Sequence, residues 1–194
     1  MTPCEQDEYT ALRATIRERG TVRVCLFAGG IAAWAAAAIA TAALANTPLA
    51  TLLPLLVLAS IFEAVFALHV GVERIGRYIQ VFYESDGSDG SGRSGGSGGS
   101  GWEHAAMAFG RPAGAATSDP LFLLPFVLAA LFNIMPALIL EPARVEIIFV
   151  GGAHALFALR LLVARYAASQ QRKIDLARFQ ELRTSNSELR TPER

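Results

Sequence analysis

Four long apolar blocks, separated by charged and polar stretches, place the strongest restriction on the fold of this chain. The blocks cover residues 24–45, 49–71, 121–140 and 147–163. About 20 apolar residues in a helix extend about 30 Å, which is the thickness of the hydrocarbon core of a bilayer. Hydrophobic residues make up 53% of the chain and its mean hydropathy is +0.37, above the usual range of soluble proteins. The sequence therefore predicts an all-α, polytopic membrane protein with four transmembrane helices.

The connections between the blocks predict how these helices pair. Residues 46–48 leave room only for a tight turn, and residues 141–146 form a similarly brief connection. The four spans should therefore form two hairpins. Basic residues near the ends of spans are retained on the cytoplasmic side of a membrane. Those at the open ends of the two hairpins are Arg13, Arg17, Arg19, Arg23, Arg74, Arg77, Arg165, Arg172 and Lys173. The connections at the opposite ends of the hairpins contain one basic residue, Arg144. Both termini are therefore expected in the cytoplasm (N-in, C-in).

A cleaved signal peptide is the alternative interpretation of the first block. The sequence Ala43-Leu44-Ala45 has the small residues of a cleavage site. The apolar run of residues 24–45 is longer than the core of a usual signal peptide, and it follows a charged leader. An uncleaved membrane anchor therefore fits the sequence better.

The order of apolar and polar stretches predicts six segments. They are a cytoplasmic amphipathic leader (1–23), a first transmembrane hairpin with a cytoplasmic helix extension (24–84), a Gly/Ser-rich flexible linker (85–101), a short interfacial segment (102–119), a second transmembrane hairpin (120–166), and a cytoplasmic C-terminal helix that ends near Leu182 before a disordered tail (167–194). The linker consists almost entirely of glycine, serine and aspartate, which cannot bury apolar surface.

Polar side chains within or beside the apolar blocks form the candidate functional cluster. They are Glu63, His69, Glu73, Asn133, His154 and Arg160. A carboxylate near the bilayer centre is costly unless it is protonated, paired or exposed to a wet cavity. The predicted partners of Glu63 are His154 and Arg160. Glu73 lies four residues after His69, on the same helical face, and is predicted to hold its imidazole.

An internal similarity sets the expected depth of these residues. Residues 63–74 resemble residues 154–165, and a phenylalanine and a closing arginine recur at matching positions. A true duplication and chance similarity between two Ala/Leu-rich helices are both open. A duplication would give two hairpins in the same membrane sense, related by an axis along the bilayer normal. It would also place Glu63 and His154 at one depth.

Two roles compete for this polar cluster. In the functional interpretation, Glu63, His69, His154 and Arg160 line a path for a proton, an ion or a small anion. In the structural interpretation, they form hydrogen bonds between helices and fix their packing register. The structural interpretation is preferred, because four helices form a narrow bundle with little room for a path.

Several other functions are disfavoured by the sequence. The three histidines lie in separate regions and there is no His-Glu-x-x-His motif, so no metal site is expected. No cofactor is expected either, since the Gly/Ser run lacks the lysine of a phosphate-binding loop. Lys and Arg (17) balance Asp and Glu (17), so the chain offers no net positive charge for nucleic acid.

The first half of the chain resembles small bacterial integral membrane proteins of unassigned chemistry. The resemblance rests on Tyr9, Leu12, Arg13 and Ile16 before a hairpin, then on His69, on residues 74–79 (RIGRYI), and on Trp102-Glu103. The Gly/Ser insertion before Trp102 departs from that pattern. The resemblance implies a multi-pass membrane protein and no particular activity.

These observations lead to two expectations of function. The first is a non-enzymatic assembly or interaction component of a bacterial inner (plasma) membrane, with its cytoplasmic helices as the contact surface. Its partners would be the lipid bilayer and either copies of itself or other membrane proteins. The alternative is a subunit of an oligomeric transporter or channel that uses Glu63, His154 and Arg160. An intramembrane enzyme ranks last, because the sequence has no recognisable nucleophile or metal constellation.

Overall fold

The structure is a computed structural model that describes residues 3–44, 47–83, 118–139 and 143–190. These residues form α1 (Pro3–Leu44), a 3-10 turn (Pro48–Thr51), α2 (Leu52–Phe82), α3 (Ser118–Ile139) and α4 (Arg144–Arg190). No strand occurs in these ranges, so the prediction of an all-α fold is confirmed for them. The predicted linker (85–101) and residues 102–117 of the predicted interfacial segment lie outside the described residues.

Three helices are long and apolar enough to cross a membrane. They are α1, α2 together with the turn before it, and α4. The described apolar part of α3, Leu123–Ile139, is shorter. Three of the four predicted spans thus have the length and composition of a transmembrane helix, which indicates a membrane protein.

Two helices extend beyond the predicted segment boundaries. Helix α1 begins at Pro3, so the predicted leader and the first apolar block form one continuous helix of 42 residues. Both stretches have helical propensity and no proline separates them, so the helix propagates across the boundary. Helix α4 continues to Arg190, eight residues past the predicted end at Leu182.

The chain divides into two units. The apolar unit contains Gly20–His69 and Ser118–Ala167. The polar unit contains the described residues within Met1–Arg19, Val70–Thr117 and Ala168–Arg194. Helices α1, α2 and α4 each contribute residues to both units.

The core of the apolar unit is built around three phenylalanine rings from three helices. The Phe62 ring meets Phe126 at 5.2 Å and Phe157 at 6.2 Å between centroids, with interplanar angles of 77° and 90°. Edge-to-face contacts of this kind suit the charge distribution of aromatic rings. Phe27 of α1 adds a further edge contact to Phe126 at 5.8 Å. These rings bring all four helices to one core.

Helices α1 and α2 approach closely at Gly30. A Cβ atom at this position would lie 2.5 Å from the Ile61 Cγ2 atom, closer than real Cβ contacts allow. At the neighbouring Gly29, a Cβ would meet nothing within 4 Å. The Gly30 contact and a contact between Arg23 and His69 show that α1 and α2 run antiparallel, as the predicted first hairpin requires.

Two contacts within the apolar unit show that α2 and α4 run parallel. Thr47, just before α2, donates a hydrogen bond to Glu146 in the first turn of α4 at 2.9 Å. Further along the helices, Arg160 contacts Glu63. The sequence separations of these two pairs, 99 and 97, are nearly equal, as expected for parallel neighbours.

Large apolar side chains cover the outside of the apolar unit. Phe132 is 70% exposed, Ile148 71% and Leu156 68%. Monomeric soluble proteins rarely expose apolar patches of this extent. Surrounding lipid would remove the free-energy cost of exposing these apolar side chains to water.

Candidate functional site

Glu63 and Arg160 form a two-point ion pair between α2 and α4. Arg160 Nη2 donates to Glu63 Oε2 at 2.7 Å, and Arg160 Nε lies 2.7 Å from Glu63 Oε1. A guanidinium that bonds both carboxylate oxygens gives a strong and directional pair. The guanidinium also lies over the rings of Phe62 and Phe66, at 5.9 and 5.7 Å from their centroids. Arg160 was one of the two predicted partners of Glu63, and it is the one that the structure places beside it.

This ion pair lies at the surface of the apolar unit. The side chains of Arg160 and Glu63 are 40% and 49% exposed. Leu56 and Ser60 precede Glu63 on the same exposed face of α2, and Leu156 precedes Arg160 on α4. A charged pair is therefore surrounded by apolar and small side chains.

His154 lies apart from this pair, in a buried contact with Asn133. The Asn133 amide nitrogen donates to the Thr51 carbonyl at 2.8 Å and lies 3.1 Å from His154 Nε2. His154 Nδ1 lies 2.8 Å from the Val150 carbonyl, which only accepts hydrogen bonds. Nδ1 therefore carries the hydrogen, and Nε2 accepts from Asn133. This arrangement satisfies both ring nitrogens.

The expected common depth of Glu63 and His154 is wrong. Glu63 lies beside Arg160, six residues along α4 from His154, which corresponds to about 9 Å along the helix axis. His154 instead lies near the start of α2, where Asn133 joins it to Thr51. Residues at matching positions of the internal similarity are not neighbours in the structure. The similarity therefore does not predict how far α2 and α4 are shifted along each other.

His69 has a partner on α1. Arg23 Nη1 lies 2.9 Å from His69 Nδ1, and the ring nitrogen accepts because a guanidinium has no acceptor. Arg23 was not among the predicted site residues. Its position was available in the sequence, since Arg23 precedes the first block and His69 lies near the end of the second. An antiparallel hairpin brings these two positions to the same end.

Glu73 belongs to the polar unit, where it binds two arginines. Arg172 donates to Glu73 from Nε at 3.0 Å and from Nη2 at 2.6 Å, and Arg77 Nη1 donates at 3.4 Å. Arg77 is buried, with 2% exposure, and Nη2 of the same guanidinium donates to Asp175 at 2.9 Å. Two carboxylates thus accompany a buried guanidinium, as the cost of burying a charge requires.

Asp175 was also missed as a candidate residue. Burial alone would raise the pKa of its carboxyl group, but hydrogen bonds from Gln171, Arg77 and Arg74 bring the pKa below its usual value of 3.8. The carboxylate form is therefore favoured in the folded polar unit. A lone aspartate in a polar helix carries no sequence signal for this role.

An aromatic cluster joins the three helical segments of the polar unit. The rings of Tyr9 and Tyr83 are 5.5 Å apart, and those of Tyr78 and Phe179 are 5.7 Å apart. Tyr78 also donates to Glu8 at 3.0 Å. Burial, and then the hydrogen bond to Glu8, raise the pKa of the Tyr78 hydroxyl. The phenol is therefore held in its neutral form.

Most of these hydrogen bonds and ion pairs join side chains of neighbouring helices. The six predicted residues divide into an ion pair, a buried Asn-His pair, an Arg-His contact and a carboxylate in the polar unit. Within the described residues, no group of three or more His, Cys, Asp or Glu side chains is placed to hold a metal ion. Cys4 and Cys25 are free and exposed.

The chain was compared with known proteins. No protein-family model, curated protein or solved structure matches it.

Proposed function

We propose that the chain is a multi-pass protein of the bacterial inner membrane that works as a non-enzymatic assembly component. It has four transmembrane helices in two hairpins, with both termini in the cytoplasm. Support comes from the three helices of transmembrane length, the shorter apolar helix Leu123–Ile139 and the exposed apolar side chains of the apolar unit. The antiparallel α1 and α2 and the parallel α2 and α4 are what two hairpins of the same membrane sense require.

The ion pair of Glu63 and Arg160 carries the assembly proposal. Glu63 lies eight residues, or about 12 Å, before the end of the apolar block at residue 71. Lipid tails cannot hydrogen-bond the exposed parts of this pair, and ionisable groups at this depth face protein or a wet cavity. A protein partner that covers the pair removes this cost. The proposed contact surface, the α2/α4 face, consists of Leu56, Ser60, Glu63, Leu156 and Arg160.

A second copy of the chain is the partner that this face fits best. The face presents one carboxylate and one guanidinium side by side. A two-fold interface brings the same surface of both copies together, so each copy offers the opposite charge to its partner. The apolar residues around the pair would pack against their counterparts in the second copy. The polar unit supports a contact role less, because its buried charges Arg77 and Asp175 already have partners within the unit.

The experiment measures self-association of the full chain in lipid nanodiscs and in dilute detergent. The variant Glu63→Gln with Arg160→Gln keeps the shape of both side chains and removes both charges. Association should weaken roughly 3- to 20-fold, the range that intramembrane hydrogen bonds contribute. Arg178→Gln with Glu181→Gln is the matched control, because it makes the same two changes at exposed positions of α4 outside the face.

A crosslinking test locates the interface. With Cys4 and Cys25 replaced by serine, Leu56→Cys should form a disulfide between copies, and Ile148→Cys, on an exposed part of α4 away from the ion pair, should not. A chain that stays monomeric at every lipid ratio would contradict the proposal. So would association that the double charge removal leaves unchanged.

Flux measurements in liposomes distinguish the transporter alternative from the assembly proposal. Its proposed residues do not form one group, since His154 bonds Asn133 while Glu63 bonds Arg160. We expect no proton or ion flux above that of empty liposomes. Flux that Glu63→Gln abolishes while association persists would favour a transporter.

A further inference from the structure

A groove of about 410 Å³ lies between α3 and α4 in the apolar unit. Its walls are apolar side chains of both helices, among them Leu124, Leu131 and Leu162. Only two of its lining residues are polar: His154 toward one end and Arg165 at the other. This volume lies within the range of small-molecule sites.

The dimensions of the groove match one leaflet of a bilayer. The α4 residues that line it run from His154 to Arg165, eleven positions or about 16 Å along the helix axis. Half of the hydrocarbon core of a bilayer is about 15 Å thick. In the proposed topology, Arg165 lies at the cytoplasmic end of the span, where lipid phosphates begin.

The two polar residues of the groove differ in what they offer a ligand. Both ring nitrogens of His154 bond groups of the protein, Val150 and Asn133. Arg165 is exposed, and the structure gives its guanidinium no hydrogen bond or ion pair with any described residue. Its five N–H donors can bind a phosphate at two points.

We propose that this groove binds an anionic phospholipid, with one acyl chain along the leucines and the phosphate on Arg165. A second copy of the chain fits the groove less well, because a two-fold contact there would bring two Arg165 guanidinium groups together. The positive end and the apolar walls together match the two parts of a phospholipid. Basic pockets between transmembrane helices on the cytoplasmic side are known to bind anionic headgroups. The inference needs the chain to lie in a membrane, but it does not need copies of the chain to associate.

The test is native mass spectrometry of the full chain, released from nanodiscs that contain equal amounts of phosphatidylglycerol and phosphatidylcholine. Bound phosphatidylglycerol should exceed bound phosphatidylcholine about fivefold, the contribution of one arginine near an anionic surface. Arg165→Gln should abolish this preference. Arg178→Gln, the same change at an exposed position of α4 outside the groove, should leave it unchanged.

A second pair of variants tests the apolar part of the site. Ala158 lines the groove, and Ala155 is an exposed alanine on the same helix that does not. Ala158→Phe should fill the groove and reduce retention of both lipids, whereas Ala155→Phe should not. Equal retention of the two lipids by the unmodified chain would overturn the proposal, as would a preference that survives Arg165→Gln. Disulfides between copies at Ala158→Cys would show instead that a second chain occupies the groove.

Discussion

The buried contact between Asn133 and His154 gives the sharpest test of how the apolar unit is held together. Asn133→Leu keeps the approximate volume of the side chain but removes the donor that serves both His154 and the Thr51 carbonyl. Intramembrane hydrogen bonds contribute about 0.6 kcal/mol on average and at most about 1.7 kcal/mol. Losing two of them should lower the free energy of unfolding by about 1–3 kcal/mol.

A double-mutant cycle separates this contact from general packing. Asn133→Leu, His154→Leu and their combination would be unfolded in mixed micelles of increasing denaturing detergent. The double variant should be more stable than the sum of the single losses predicts, by about 0.6–1.7 kcal/mol. Thr10→Ala is the control, because its hydroxyl is exposed, lies outside the α2/α4 face and bonds the Gln6 carbonyl of its own helix. Its effect should stay within about 0.5 kcal/mol.

Two results would refute this reasoning. One is a loss of stability from Asn133→Leu no larger than that from Thr10→Ala. The other is strict additivity in the cycle, which would mean that the amide and the imidazole do not interact in the folded protein.

Two further predictions concern the helix contact at Gly30 and the buried acid Asp175. Gly30→Leu should destabilise the protein by about 1–3 kcal/mol in the same assay, because its side chain meets Ile61. Gly29→Leu, which points into open space, should change stability by no more than about 1 kcal/mol, and equal losses at the two glycines would contradict the packing argument. Because the pKa of Asp175 lies below its unfolded value of 3.8, its contribution to stability is present above that pH and is lost as the pH falls through the folded value. Asp175→Asn should therefore reduce the loss of stability that the polar unit shows as the pH falls. An unchanged dependence of stability on pH would exclude a stabilising role for the Asp175 carboxylate.

The sequence predicts the membrane-spanning character of this chain because that property depends on composition over about 20 residues. Apolar blocks of that length remain apolar wherever neighbouring helices lie. Hence the all-α fold and three helices of transmembrane length were predicted correctly. The continuity of α1 was not predicted, because a change from amphipathic to apolar pattern resembles a boundary. The backbone hydrogen bonds of a helix form equally in amphipathic and in apolar stretches, so α1 continues across that change.

Pairings between helices were harder to predict. The structure places Glu63 beside Arg160, six residues along α4 from the residue that the internal similarity aligns with it. That offset depends on the packing of rings such as Phe62 and Phe157, which composition does not encode. The partner of His154 was missed for the same reason, since Asn133 meets it through the contact between α3 and α4.

The long sequence separation of these pairs has a consequence for biosynthesis. Arg160 leaves the ribosome 97 residues after Glu63. At about 5–20 residues per second, translation needs roughly 5–20 seconds to supply it. During that interval the first hairpin must either wait beside the insertion machinery or enter the membrane with an uncompensated acid. Replacing Glu63 by glutamine should therefore speed insertion of chains truncated before residue 118, while it weakens the finished protein.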